Sequence, residues 1–202
     1  MKVTTKEKIL RVAGQLFYTH GYNGTAIRAI AKEAQVNVSL VSYHFGSKLG
    51  LYEQLITDFF EGYIAEIKKE VSNENKTAKK RLISTVKSLL LYQSSNHYVA
   101  RMAHREMTLD STLVRELMMT YSRKEIYDYK RIIQLGINNG EFLEQPLDYI
   151  VIHLRTMFIM PFLSPHYLQE LYQLTPRERY FVDRYMEYLE RWIYVSLARQ
   201  TK

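Results

Sequence analysis

The stretch AIRAIAKEAQVNVSLVSYHFGSKLGLY, residues 26–52, decides how this chain folds. Ile27, Ile30 and Ala31 recur at three- and four-residue spacing with Arg28 and Lys32 opposite them, the pattern of a short amphipathic helix. Thr25 stands where its N-cap belongs. A turn at Ala34-Gln35-Val36 follows, and Asn37 is placed to cap a third helix running from Val38 to about Phe45. Ser47 then caps a long fourth helix that begins at Lys48. Two short helices across a tight turn make a helix-turn-helix. Ala31 and Ala34 let them cross closely, Val36 fills the corner, and Phe45 closes the small core from the far side. Such a pair is too small to fold alone. The first helix, from about Thr5 to His20 with Gly21 at its end, and the start of the fourth must complete the core.

A helix laid in a major groove presents its N-terminal residues to base edges. That makes Val38, Ser39, Leu40 and Ser42 the candidate base readers, Ser39 by hydrogen bonding and Val38 or Leu40 by contact with thymine methyls. Tyr43, His44 and Lys48 fall at the helix end and the next helix start, where they are expected to hold phosphates. Thr25 and Arg28 are expected to grip the backbone from the second helix.

Charge agrees with a polyanion partner. The chain of 202 residues carries a net +7. Residues 1–48 hold seven basic residues (Lys2, Lys6, Lys8, Arg11, Arg28, Lys32 and Lys48) against Glu7 and Glu33, leaving 21 basic and 19 acidic for the rest. A small basic module on a near-neutral body is the footprint of a nucleic-acid binder. With no cysteine, disulfides, thiolate metal sites and cysteine nucleophiles are excluded. MKVTTKEKILRVAGQLF is no secretory signal, and Met157 to Leu163, broken by Pro161, is far shorter than the ~20 residues of a membrane helix. A cytoplasmic, nucleoid-associated protein is expected.

Past residue 50 the pattern stays helical: Leu51 to about Val71, Ala78–Gln93, Asn96–Met107, Thr112–Asn138, Pro146–Phe162, Pro165–Gln173 and Pro176–Arg199. Thr175-Pro-Arg-Glu178 matches a capping box for the last of these. That helix carries Phe181, Tyr185, Tyr188 and Trp192 on one face, with Val182, Met186, Leu189, Ile193 and Leu197 on the next. One apolar stripe packs a helix on its own body, so the second implies a partner subunit. The aromatic stripe is the expected dimer interface. His153 and Arg155 lie in an otherwise apolar run and are read either as cavity lining or as partnered polar groups. No HExxH, Gly-rich phosphate loop or GxSxG occurs, so no metal, cofactor or catalytic residue is expected and no effector is identified.

Leu16, Phe17, Gly21, Thr25, Ile27, Ile30, Ala31, Ala34, Val36, Tyr43, His44, Phe45, Lys48 and Leu51, all in one register, resemble the TetR-family helix-turn-helix. The sequence departs from that family at Gln35, where glycine is common, and at Val38-Ser39-Leu40. The resemblance implies an all-α fold. Residues 1–50 would form a three-helix DNA-binding domain and residues 51–202 a helical dimerisation and regulatory domain. It also implies a homodimer on an inverted repeat of double-stranded DNA, joined through the two C-terminal helices. MKVTTKEKI, HREMTLDSTLVRELM and MPFLSPHYL resemble TetR-like proteins of spore-forming Bacillus-type bacteria. This implies scattered chromosomal sites and an effect on the division protein FtsZ during sporulation. Arg101, Arg105, Glu106, Arg115 and Glu116 form the surface expected to meet such a partner. The alternative is a ligand-responsive transcriptional repressor, which a sizeable pocket would favour.

Overall fold

The computed structural model describes residues 4–108 and 114–198, and within them the chain folds into ten helices. They are α1 Thr5–Gly24, α2 Ile27–Glu33, α3 Val38–Phe45, α4 Lys48–Val71, α5 Ala78–Ser95, α6 His97–Thr108, α7 Arg115–Asn138, α8 Leu147–Leu163, α9 Pro165–Tyr172 and α10 Arg179–Ser196. One isolated antiparallel bridge, Phe142 to Ala198, ties the α7–α8 connection to the end of α10. Thr112, the expected start of the helix before Asn138, lies outside the described residues.

The ends of the helices show which local signals decided the chain path. Thr4 and Glu7 form a reciprocal capping box at α1, and Gly21 takes φ 73°, ψ 173°, breaking α1 where a terminal glycine was expected. Thr25 does not cap α2. Ala26 occupies that position without a side-chain bond, while the Thr25 hydroxyl donates to the carbonyls of Leu16 and Gly21 at 3.1 and 2.8 Å. It therefore seals the broken end of α1 instead. At the far end of α2, Val36 N donates to Ala31 O and Gln35 N to Lys32 O, a Schellman closure with Gln35 at φ 55°. The capping box expected at Thr175–Glu178 is absent. Those residues form a turn, Glu178 N to Thr175 O at 3.0 Å, and α10 starts at Arg179.

α4 and α5 pack along each other with α7 and α8 against them, and α10 covers α5. α1 lies on α6 as well as on α2 and α4, so the N-terminal helices are seated on the body. Their seam is close: a Cβ added at Gly14 would stand 3.3 Å from a Val99 methyl. Leu51, Ile56, Ile67, Leu82, Leu89, Tyr129 and Phe158 are fully enclosed in the core. A polar thread crosses it. Tyr63 donates to Glu125 Oε1 at 2.8 Å, Arg155 Nε donates to Glu125 Oε2 at 2.9 Å, and His104 Nε2 meets Gln93 Oε1 at 2.6 Å. Arg155 is thus a partnered polar group between helices rather than a free cavity wall, while His153 is exposed beside Trp192.

No single helix among the described residues is long and apolar enough to cross a membrane. Only α8 and α9 together pass such a test, and they are bent by 77°.

Candidate nucleic-acid interface

Everything about α3 is arranged to hold it out from the body. Asn37 Oδ1 accepts both the Ser39 amide and the Ser39 hydroxyl at 2.9 Å, fixing the first turn. Val41 alone of the helix is fully buried and anchors it on the small core formed with Ile30, Ala31, Ala34, Phe17 and Leu51. At its other end Gly46 takes φ 71°, and a side chain at Gly50 would collide with the Phe45 carbonyl, so α4 can start close behind.

The remaining side chains face solvent. Val38, Ser39, Leu40 and Ser42 are exposed, and Tyr43 is 81% exposed. His44 is half-buried against Tyr43 and Phe45. Arg28 and Lys32 project from α2, and Lys6, Lys8 and Arg11 from α1. Among the described residues none of these five cations has a carboxylate partner. Unpaired positive side chains around a protruding helix suit a polyanion, because each phosphate they meet releases condensed counterions.

Two of the expected contact residues are placed otherwise. Thr25 is 2% exposed with its hydroxyl spent inside. Lys48 turns back into the protein, its ammonium 2.9 Å from Tyr22 O, 3.1 Å from Thr25 O and 4.3 Å from the centre of the Tyr22 ring. Sequence position put both beside the recognition helix; the break at Gly21 turns both inward, because it leaves free carbonyls that a hydroxyl and an ammonium can satisfy.

The aromatic stripe of α10 divides in the same way. Phe181 is 5% exposed and belongs to the subunit's own core, and Tyr185 donates to Met157 O on α8 at 2.7 Å. Tyr188 is exposed and Trp192 half-buried. Beside them stand residues the sequence pattern did not single out. Val195 on α10, and Tyr149, Ile152 and Thr156 on α8, are exposed, and His153 joins the two helices with its ring 6.5 Å from Trp192. These exposed branched and aromatic residues form one apolar face across α8 and α10. A strict helical-wheel count on α8 and α10 together would have found it.

The expected partner surface is also split. Glu106 accepts from Tyr52 at 2.7 Å, and Arg101 covers the Tyr18 ring at 4.8 Å and donates to His166 Nε2 at 3.2 Å. Arg105, Arg115 and Glu116 are exposed. No group of three His, Asp or Glu that could hold a metal occurs among the described residues.

Known proteins resemble the chain at both scales. Residues 9–55 match the model of bacterial regulatory proteins of the tetR family. The probable HTH-type transcriptional regulator YttP of Bacillus subtilis is 40% identical over 194 residues, covering 96% of this chain and 94% of that protein. The biofilm operon icaADBC negative transcriptional regulator IcaR of Staphylococcus aureus is 38% identical over 72 residues, 36% of this chain and 37% of that protein. Among solved structures, the ketosteroid transcriptional regulator KstR2 of Mycobacterium tuberculosis has a TM-score of 0.81 at 14% identity, covering 99% of this chain and 98% of that one.

Proposed function

This chain belongs to the TetR family of bacterial transcriptional regulators, and from that premise we propose that it reads an inverted DNA repeat as a homodimer, through α3 of each subunit. The observation that carries the reading is the α3 surface. Its first turn is capped, Val41 anchors it, and Val38, Ser39, Leu40, Ser42 and Tyr43 are all turned outward amid unpaired cations. Ser39 and the two apolar side chains meet base edges, while Tyr43, His44 and Arg28 hold phosphates on either side. Lys48 and Thr25 serve this surface indirectly by fixing the α1–α2–α4 junction beneath it. The α1–α3 helices with the first turn of α4 form the DNA-reading unit, and the helices after it form the dimerising and regulatory body.

The second subunit docks on the α8–α10 face, where Tyr149, Ile152, Tyr188, Trp192 and Val195 supply the apolar contact. The experiment is selection of duplexes from a random pool. It should return a two-fold symmetric site bound at two subunits per duplex, and an asymmetric or random outcome removes the proposal.

The finer reading is a RefZ-like role in FtsZ-dependent division and chromosome positioning during sporulation. It is supported by the body segments that resemble TetR-like proteins of Bacillus-type bacteria and by the exposure of Arg105, Arg115 and Glu116. Mapping bound sites across the chromosome separates it from control of a few promoters. Sites scattered around the replication origin would favour it, and promoter sites alone would exclude it.

A further inference from the structure

Where α1 passes over the body, a cleft of about 420 Å³ opens between α1, the start of α6, the end of α8, α9 and the turn before α10. That volume is in the range of small-ligand sites. Tyr18, Tyr98 and Phe162 give it an apolar wall, with the two tyrosine rings 5.0 Å apart edge to face. Its charged and titratable lining is Arg177, His97 and His166; no carboxylate lines it. Arg177 reaches in from a turn whose backbone is held by Ser94, which donates to Arg177 O at 3.0 Å. Arg177 has no ion-pair partner among the described residues. Arg101 adds a second positive charge at the rim, donating to His166 Nε2 at 3.2 Å.

His97 carries the sharpest mark. Its Nε2 atom is buried with no hydrogen-bond partner. Burial first, and then the charge of Arg177, hold this imidazole below its ordinary 6.5. A neutral ring with an unanswered nitrogen beside an unpaired guanidinium leaves a polar demand that the protein itself does not meet.

We propose that this cleft binds an amphipathic organic anion. Its carboxylate or phosphate is held by Arg177 and His97, and its apolar body lies against Tyr18, Tyr98 and Phe162. A guanidinium suits the planar or tetrahedral oxygens of such a head group. Because Tyr18 and its neighbours belong to α1, an occupant would bridge the N-terminal unit to the body. This regulatory consequence rests on the DNA-binding reading; the binding itself does not.

Isothermal calorimetry on the full-length protein tests it with octanoate, octyl phosphate and octanol. Saturable binding of octanoate or octyl phosphate, at least tenfold tighter than octanol, is expected, and the stronger of the two assigns the head group. Arg177→Ala and His97→Phe, each checked for a native circular dichroism spectrum, should weaken that binding at least tenfold. Arg115→Ala, remote from the cleft, should leave it unchanged. If neither anion bound, if octanol bound equally well, or if the two cleft variants bound like the parent, the proposal would be overturned. Gel-shift titration of the selected duplex with and without octanoate is scored separately. A protein that bound anion but no duplex would leave the site standing and remove the DNA reading.

Discussion

The ammonium of Lys48 sits 2.9 Å from the carbonyl oxygen of Tyr22, a residue 26 positions earlier, and lies over the same tyrosine's ring. It joins the first turn of α4 to the broken end of α1. Replacement by methionine should therefore cost about 1–3 kcal/mol of stability, since two carbonyls lose a charged donor. Urea unfolding measures this. A Lys48→Met protein as stable as the parent but weak on DNA would return Lys48 to the phosphate-contact role its position first suggested.

Recognition-helix variants should separate affinity from discrimination. Tyr43→Ala should weaken binding to all duplexes alike, and Ser39→Ala should cost about 1–3 kcal/mol on the preferred site while relaxing its sequence preference. Raising salt from ~50 to ~200 mM should weaken the parent by orders of magnitude. Competition gel shifts read all three effects, and a flat salt response would contradict the cationic surface.

The α10 aromatics should behave as two groups. Phe181→Ala should cost roughly 3–5 kcal/mol of folding stability, as for other enclosed rings. Ile152→Glu and Val195→Glu, at exposed positions, should leave a folded monomer. Sedimentation velocity distinguishes them; a dimer persisting in both glutamate variants would move the interface away from the α8–α10 face.

His104 is enclosed, and burial followed by the charge of Arg155 lowers its pKa to about 3. A base depressed in the folded state contributes stability that is present above its unfolded value near 6.5 and lost as pH falls toward its folded value. Stability should decline from about pH 6.5 downward, by up to ~1.4 kcal/mol per unit from this group. His104→Leu should show a shallower decline in thermal melts across that window. An identical acid slope in both proteins would assign the loss to other groups.

Gln35 holds the α2–α3 turn at φ 55°. Glycine there removes the Cβ penalty but frees the unfolded chain, so Gln35→Gly should raise stability by about 0.5–1 kcal/mol. A lower melting temperature would mean that the glutamine side chain contributes something to the turn beyond its backbone.

Sequence periodicity located the helices because long apolar stripes and capping residues act within a few positions. Asn37 and Ser47 cap the helices they were expected to cap, and Val71 and Asn138 end theirs where the pattern stops. Thr25 and Lys48 are placed otherwise than their positions suggest, for one reason. Their partners include the carbonyls of Leu16, Gly21 and Tyr22 at the broken end of α1; Gly21 marks the break, but no local pattern near Thr25 or Lys48 says which group answers those carbonyls. Phe181 packs into the chain's own core rather than outward: an aromatic stripe and an aliphatic stripe lie next to each other on α10, and pattern alone does not say which neighbour each meets. The outward side chains of α3 were legible because a helix that spends only Val41 on packing leaves the others free.

The 24 residues of α4 make a rod about 36 Å long. Its first turn lies under the recognition helix, and its last buried residues, Ile67 and Val71, are clamped by α5 and α7. A rod of that length magnifies rotation. By that length, a tilt of about 5° at the clamp swings the opposite end, and the N-terminal helices with it, by about 3 Å, close to the ~3.4 Å rise between successive bases on one strand. In the proposed homodimer, two such arms related by a two-fold axis would swing in opposite senses. Small repacking deep in the body would there move each arm by about one base step, against half-sites that repeat every ~34 Å.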